Sequence, residues 1–177
     1  MERARNLVDL MGLETLLLAQ EGMLLHAAYI RWQGKGILFT GPSGIGKSTQ
    51  ADLWQRFCGS ETINGDRAAL RKEDGRWQAW GLPYAGTSGI YRNESAPVTA
   101  IVLLEQGKED RLERLSPAEA FRGLYPQTTI HRWEADFVRC TGDLLLQMAG
   151  QIPVYRLTCL PHKEAVELLK QELMKGE

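Results

Sequence analysis

The chain has 177 residues, 44% hydrophobic and 24% charged, with a formal net charge of −1 at pH 7. That is the size of one domain with a sizeable core, and a near-neutral balance with dispersed basic residues gives no electrostatic case for nucleic acid or an anionic membrane as partner. No stretch approaches the roughly 18 apolar residues of a membrane helix, and the start Met1-Glu2-Arg3-Ala4-Arg5 lacks a signal-peptide core, so the expected location is the cytoplasm.

In chain order, residues 3–19 have the spacing of an amphipathic helix, with Leu7, Leu10, Met11 and Leu17 near one face. Glu21-Gly22 ends it. This segment, residues 1–20, is either the opening helix of a single domain spanning 1–177 or the tail of a region that precedes it. Residues 23–32 read as a strand, residues 33–36 as a turn, and residues 37–40 as the returning strand. Residues 62–66 form a short strand ending on an acid. Residues 68–71 and 76–80 flank Lys72-Glu73-Asp74-Gly75, where Asp-Gly suits a tight primed hairpin turn. Residues 81–95 are loop-like and rich in small residues. The near-continuous apolar run 98–104 predicts a central strand buried on both faces. Ser116-Pro117-Ala118-Glu119 is a capping box that starts a helix. A further helix covers 133–149, with Thr141-Gly142 as a candidate break. A strand at 154–159 and a helix over 162–174 close the chain.

Between the returning strand and the next helical segment stands Gly41-Pro42-Ser43-Gly44-Ile45-Gly46-Lys47-Ser48, followed by Thr49. This is a full GxxxxGK[ST] phosphate-binding loop in the strand–loop–helix setting the motif requires. Glycines at 41, 44 and 46 let several N–H groups converge on one phosphate, and the helix N-terminus adds partial positive charge. Lys47 is placed to reach the β- and γ-phosphates, and the Ser48 hydroxyl to ligate Mg²⁺. The chain is expected to bind a nucleoside triphosphate with Mg²⁺, and no base-specific motif separates ATP from GTP.

Phosphoryl transfer also needs an acid. Asp66 is the first candidate, as metal ligand or as base for the acceptor hydroxyl, and both roles stay open. Glu105, at the end of the apolar run, competes with it but reads more simply as a strand exit. His26 in an apolar strand reads by itself as a satisfied core residue, and His131 and His162 carry no pattern. Arg92 and Arg156 are candidates to face the phosphates, although an exposed arginine is usually a surface charge. Most of Trp32, Trp54, Trp77, Trp80 and Trp133 read as packing residues. Cys58, Cys140 and Cys159 have no metal-ligand spacing and read as small core residues.

Residues 26–48, from His26 through Gly34-Lys35-Gly36 to the loop, resemble the catalytic domain of the HPr kinase/phosphorylase family, which has a His, a GxG hairpin turn and a strand into GxSGxGKS at the same spacing. The resemblance implies an α/β fold: a mixed-sheet P-loop domain of the HPr kinase C-terminal and phosphoenolpyruvate carboxykinase type. In that type an antiparallel hairpin precedes the loop and helices lie on both faces. It raises His26 to an active-site neighbour and carries Lys47 and Ser48 over as phosphate and Mg²⁺ ligands. The family's aspartate pair falls on Gly65-Asp66, so only the second acid is present. Gly81-Leu82-Pro83-Tyr84-Ala85-Gly86 is similar to a segment of small relatives of that kinase. The family's substrate signature is not visible after residue 81, so HPr phosphorylation and its reversal are not expected.

The leading expectation is therefore an ATP- and Mg²⁺-dependent kinase. Lys47, Asp66 and His26 would be catalytic, and Ser48 and Asp66 would hold the metal. The acceptor would be a serine-like hydroxyl on a peptide, protein or small metabolite, and homo-oligomerisation is left open. The alternatives are a nucleotide-binding switch or scaffold with little turnover, motivated by Gly65, and an ordinary small-molecule P-loop kinase with a parallel sheet.

Overall fold

The structure, a computed structural model, describes residues 12–86 and 88–175. Among them, α1 covers Leu13–Leu18, β1 Gly22–Trp32, β2 Lys35–Thr40, α2 Lys47–Cys58, β3 Glu61–Asn64, β4 Arg67–Glu73 and β5 Arg76–Gly81. Then follow β6 Ser95–Gln106, β7 Arg111–Arg114, α3 Pro117–Leu124, α4 Ala135–Gln151, β8 Val154–Cys159 and α5 Lys163–Met174. The eight strands form one mixed sheet, packed with helices. The path runs β2-β1-β4-β5-β6-β8-β7, β3 lies on β1, and β2 also pairs with β6.

Two long strands organise the sheet. One half of β1 pairs antiparallel with β4, and the other half pairs antiparallel with β2, Ala27 opposite Thr40 and Trp32 opposite Lys35. Gln33 and Gly34 both take positive φ (51° and 76°), which gives the turn between β1 and β2 the twist a tight hairpin needs. Asp74 and Gly75 do the same between β4 and β5. Strand β6 runs parallel to β2 and to β8, and its first residues pair antiparallel with β5. Flanked this way, its stretch Ala100–Val102 is fully buried.

The alternation along β1 divides the core into two layers. Met23, Leu25, Ala27 and Tyr29 pack with Ala120 and Leu124 of α3 and Leu145 and Met148 of α4. Ala28, Ile30 and Trp32 pack on the other face with Ala51 and Trp54 of α2 and Val166 and Leu169 of α5. Helices therefore cover both faces. Burying one such aliphatic side chain contributes about 1.5–3 kcal/mol, so the two layers anchor the strands that carry the loop.

Some elements differ from the sequence expectation. The helix expected over 3–19 is described only from Leu13 to Leu18; residues 3–11 of that expectation lie outside the described residues. Helix α4 passes through Thr141 and Gly142 unbroken, because Phe137, Thr141, Leu145 and Met148 are buried on one continuous face. The strand expected over 98–104 begins at Ser95 and ends at Gln106. Strand β7 was not anticipated: Arg111-Leu112-Glu113-Arg114 carries no strand-like pattern and is held by its pairing with β8. Cys159 is buried, whereas Cys58 and Cys140 are only half-buried. Trp133 is 83% exposed and stacks on His131 outside the core, in contrast to Trp54 at 0%.

Candidate functional site

The site follows from the central position of β1. On one side, Ala27 is opposite Thr40, the last residue of β2, and the Thr40 hydroxyl donates to the His26 carbonyl at 2.7 Å. The chain then leaves β2 into the loop of Gly41 to Ser48. On the other side, His26 is opposite Arg67, and Ala27 N–H donates to the Asp66 carbonyl. Asp66 lies in the break between β3 and β4, so β1 places His26 and Asp66 beside the loop's origin. His26 shares its sheet face with Ala28 and Ile30, the face covered by α2.

The loop has the backbone its glycines permit. Gly41, Gly44 and Gly46 take φ of 142°, 79° and 113°, values that side-chain-bearing residues rarely adopt. Gly46 is the N-cap of α2 and no side chain caps that helix. Its first-turn N–H groups are therefore available to an anion. Lys47 is buried and folds back over the loop, donating to the carbonyls of Gly41 (3.0 Å) and Pro42 (3.1 Å). Burial pushes its pKa below the ordinary lysine value, and the Asp66 carboxylate works in the opposite direction.

A cavity of about 280 Å³ gathers His26, Ser43, Gly44, Gly46, Lys47, Ser48, Thr49, Gly65 and Asp66. His26 Nε2 is 3.5 Å from Asp66 Oδ1, and Arg67 Nε is 3.7 Å from Asp66 Oδ2. One recess thus holds a lysine, a hydroxyl, a carboxylate and an imidazole. Gly41 and Ile45 lie outside its lining and border neighbouring recesses instead. Among the described residues no cluster of three or more His, Cys, Asp or Glu side chains forms a ready-made metal site. The Ser48 hydroxyl and Asp66 carboxylate are hard oxygen donors of the kind Mg²⁺ uses together with substrate phosphates and water.

The other candidates are placed elsewhere. Glu105 pairs with Arg156 at 3.0 Å, and Arg156 also reaches Glu113 at 3.3 Å. Arg92 is half-exposed beside Glu61. His131 lies 2.9 Å from Glu14, and His162 contacts Asp110 and Glu164. None of these lines the Lys47 cavity.

One residue that matters to the site escaped the sequence reading. Asn64 is fully buried; its Nδ2 donates to the Tyr84 carbonyl at 2.8 Å, and its Oδ1 accepts from the backbone N–H of Asp66 and Arg67, both at 3.0 Å. It ties the segment before Gly86 to the turn that presents Asp66. The available signal was Asn two residues ahead of Asp, the pattern of a side chain capping its own turn. That same loop closes over the acid. A Cβ on Gly86 would stand 2.7 Å from Asp66 Cγ, and one on Gly65 would stand 2.6 Å from Ser88 Cβ.

A family model described as SynChlorMet cassette protein ScmC matches residues 10–164. The chain belongs to the ScmC family. The match takes in the loop, His26, Asp66 and the segment through Gly86 of this ScmC-family chain. No curated protein matches it. Among solved structures, the Hpr(Ser) kinase/phosphatase from Coxiella burnetii superposes with a TM-score of 0.49 at 14% identity, covering 86% of this chain and 88% of that one. At that level the likeness bears on nothing beyond a distant similarity of fold.

Proposed function

We propose that this ScmC-family chain is an ATP- and Mg²⁺-dependent kinase that transfers the γ-phosphoryl group to an alcohol hydroxyl on a peptide, protein or small metabolite. The observation that carries this reading is the single cavity shared by Lys47, Ser48, Asp66 and His26 at the mouth of the phosphate-binding loop. In this reading Lys47 exchanges its carbonyl partners at Gly41 and Pro42 for the β- and γ-phosphates, joined by the loop N–H groups. Ser48 and Asp66 would hold Mg²⁺, which when bound neutralises charge on the phosphates. The acceptor oxygen forms its bond to the γ-phosphorus as the bond to the bridging oxygen breaks, and ADP leaves with that electron pair. The acceptor proton passes to the Asp66 carboxylate, with His26 fixing its orientation.

A switch with little turnover is the second reading, and Gly65 favours it because one acid of the resembled family is missing there. The antiparallel pairing of β1 with β2 speaks against an ordinary nucleotide kinase built on a parallel sheet. The test is transfer of γ-phosphoryl label from ATP into a pool of serine-containing peptides and hydroxyl metabolites, by wild type and by Lys47→Ala. Label that enters an acceptor and is lost in the variant supports the kinase. Bound ATP with no labelled acceptor sinks it and leaves the switch.

A further inference from the structure

A second cavity, of about 570 Å³, lies on the other flank of the loop. It shares Gly44, Gly46 and Thr49 with the Lys47 cavity, so a ligand whose phosphates fill one can extend into the other without leaving the loop. Another recess at the loop, beside Gly41 and Pro42, shares none of the residues that line the Lys47 cavity. The walls of the shared cavity come from the ends of β6 and β8. Leu104, Leu160 and Pro161 offer apolar surface, and Ile45 closes it from the loop. Such plates suit the faces of an aromatic ring system.

Gln50, on the first turns of α2, lines this cavity and is 3% exposed. Its Nε2 donates to Cys159 Sγ at 3.3 Å, and its Oε1 has no hydrogen-bond partner among the described residues. A thiol sulfur is a weak acceptor, so the amide gives up that contact at little cost. The cavity also takes in Thr49, Glu105 and Gln106, and a half-satisfied buried amide on its lining gains a hydrogen bond when a ligand or a water completes it. Packing alone does not call for glutamine here, because the neighbouring positions facing the core are Ala51 and Trp54.

We propose that this cavity seats the base of the nucleotide and that Gln50 selects adenine over guanine; the inference rests on the nucleotide-binding reading above. A glutamine amide presents one donor and one acceptor side by side. Adenine answers with its N7 acceptor and N6 amino donor, whereas guanine presents two acceptors, N7 and O6, on the same edge. Guanine would therefore leave the Gln50 oxygen facing another oxygen.

Equilibrium binding of ATP, GTP and inorganic tripolyphosphate, each with Mg²⁺, to the wild-type chain and to Gln50→Met tests this. Wild type is expected to bind ATP about tenfold or more tightly than GTP. Gln50→Met is expected to bind tripolyphosphate as wild type does while holding ATP and GTP about equally. Equal affinity of wild type for ATP and GTP overturns the proposal even if the variant fails to fold. An undiminished ATP preference in a folded Gln50→Met also overturns it. Tripolyphosphate that binds through Lys47 while the bases go undistinguished sinks only this inference. Failure of wild type to bind tripolyphosphate and ATP alike sinks the nucleotide reading beneath it.

Discussion

Gly86 lies directly on the carboxylate of Asp66: a Cβ added there would come within 2.7 Å of Asp66 Cγ and 2.9 Å of its Oδ1. The acid is therefore held from two sides, by the loop above it and by the Asn64 turn beneath it. Gly86→Ala should push the carboxylate off its position. The expected result is nucleotide affinity within about threefold of wild type and turnover reduced about 10- to 100-fold, since misplacing a catalytic group by about an ångström costs on that order. Titration with ATP beside a steady-state ADP assay checks both halves.

Gly65 stands where the resembled family has an acid, and the space beside it is taken by Ser88. Gly65→Asp should destabilise the fold by about 1–3 kcal/mol through overpacking. Ser88→Gly should relieve much of that, giving a favourable coupling in a double-mutant cycle measured by urea unfolding. Additive effects would mean that the two positions do not share the space.

Asn64 supplies hydrogen bonds to both Tyr84 and the Asp66 turn from a fully buried position. Asn64→Ala should cost about 2–4 kcal/mol by removing these buried hydrogen bonds. Turnover per folded molecule should fall with it. Thermal unfolding and the ADP assay at a temperature where the variant stays folded separate the two effects.

The loop, its glycines and the flanking strand and helix were legible because the motif is local: each residue's task depends on its immediate neighbours. The placement of Asp66 beside the loop was legible from its position after the loop helix. The closeness of His26 to Asp66 was less so, since it depends on β1 running between β2 and the β3–β4 turn, a pairing carried by strands distant in sequence. Gln50 gave no signal, because a glutamine in a helix is ordinarily a surface residue and its hydrogen bond to Cys159, at the end of β8, joins positions distant in sequence. Strand β7 was illegible for a related reason: its order comes from its neighbour and not from its own pattern. Trp133 is the exception among the tryptophans, a large apolar residue left on the surface and stacked on His131.

Burial lowers the Lys47 pKa below 10.5 despite the opposing pull of Asp66. The unfolded chain then holds the proton more tightly than the folded one, so charged Lys47 costs stability through the acid and neutral range. The cost fades as pH rises through the folded-state value toward 10.5. The stability difference between Lys47→Met and wild type should therefore shift in wild type's favour as pH rises through the folded-state value toward the ordinary lysine pKa, while the variant loses triphosphate binding at every pH. Thermal unfolding across that range, with and without ATP and Mg²⁺, checks the sign.

The central claim is that Asp66 serves the transfer step and not merely the binding of nucleotide. Its most direct test is ADP release from ATP and Mg²⁺ by wild type and Asp66→Asn, with and without a pool of serine-containing peptides and hydroxyl metabolites, beside ATP binding to each. The predicted result is acceptor-dependent ADP release by wild type that falls by roughly 10²- to 10⁴-fold in Asp66→Asn, with ATP still bound. Tight ATP binding by both proteins and no acceptor-dependent ADP from wild type would contradict the account and make this a nucleotide-holding protein.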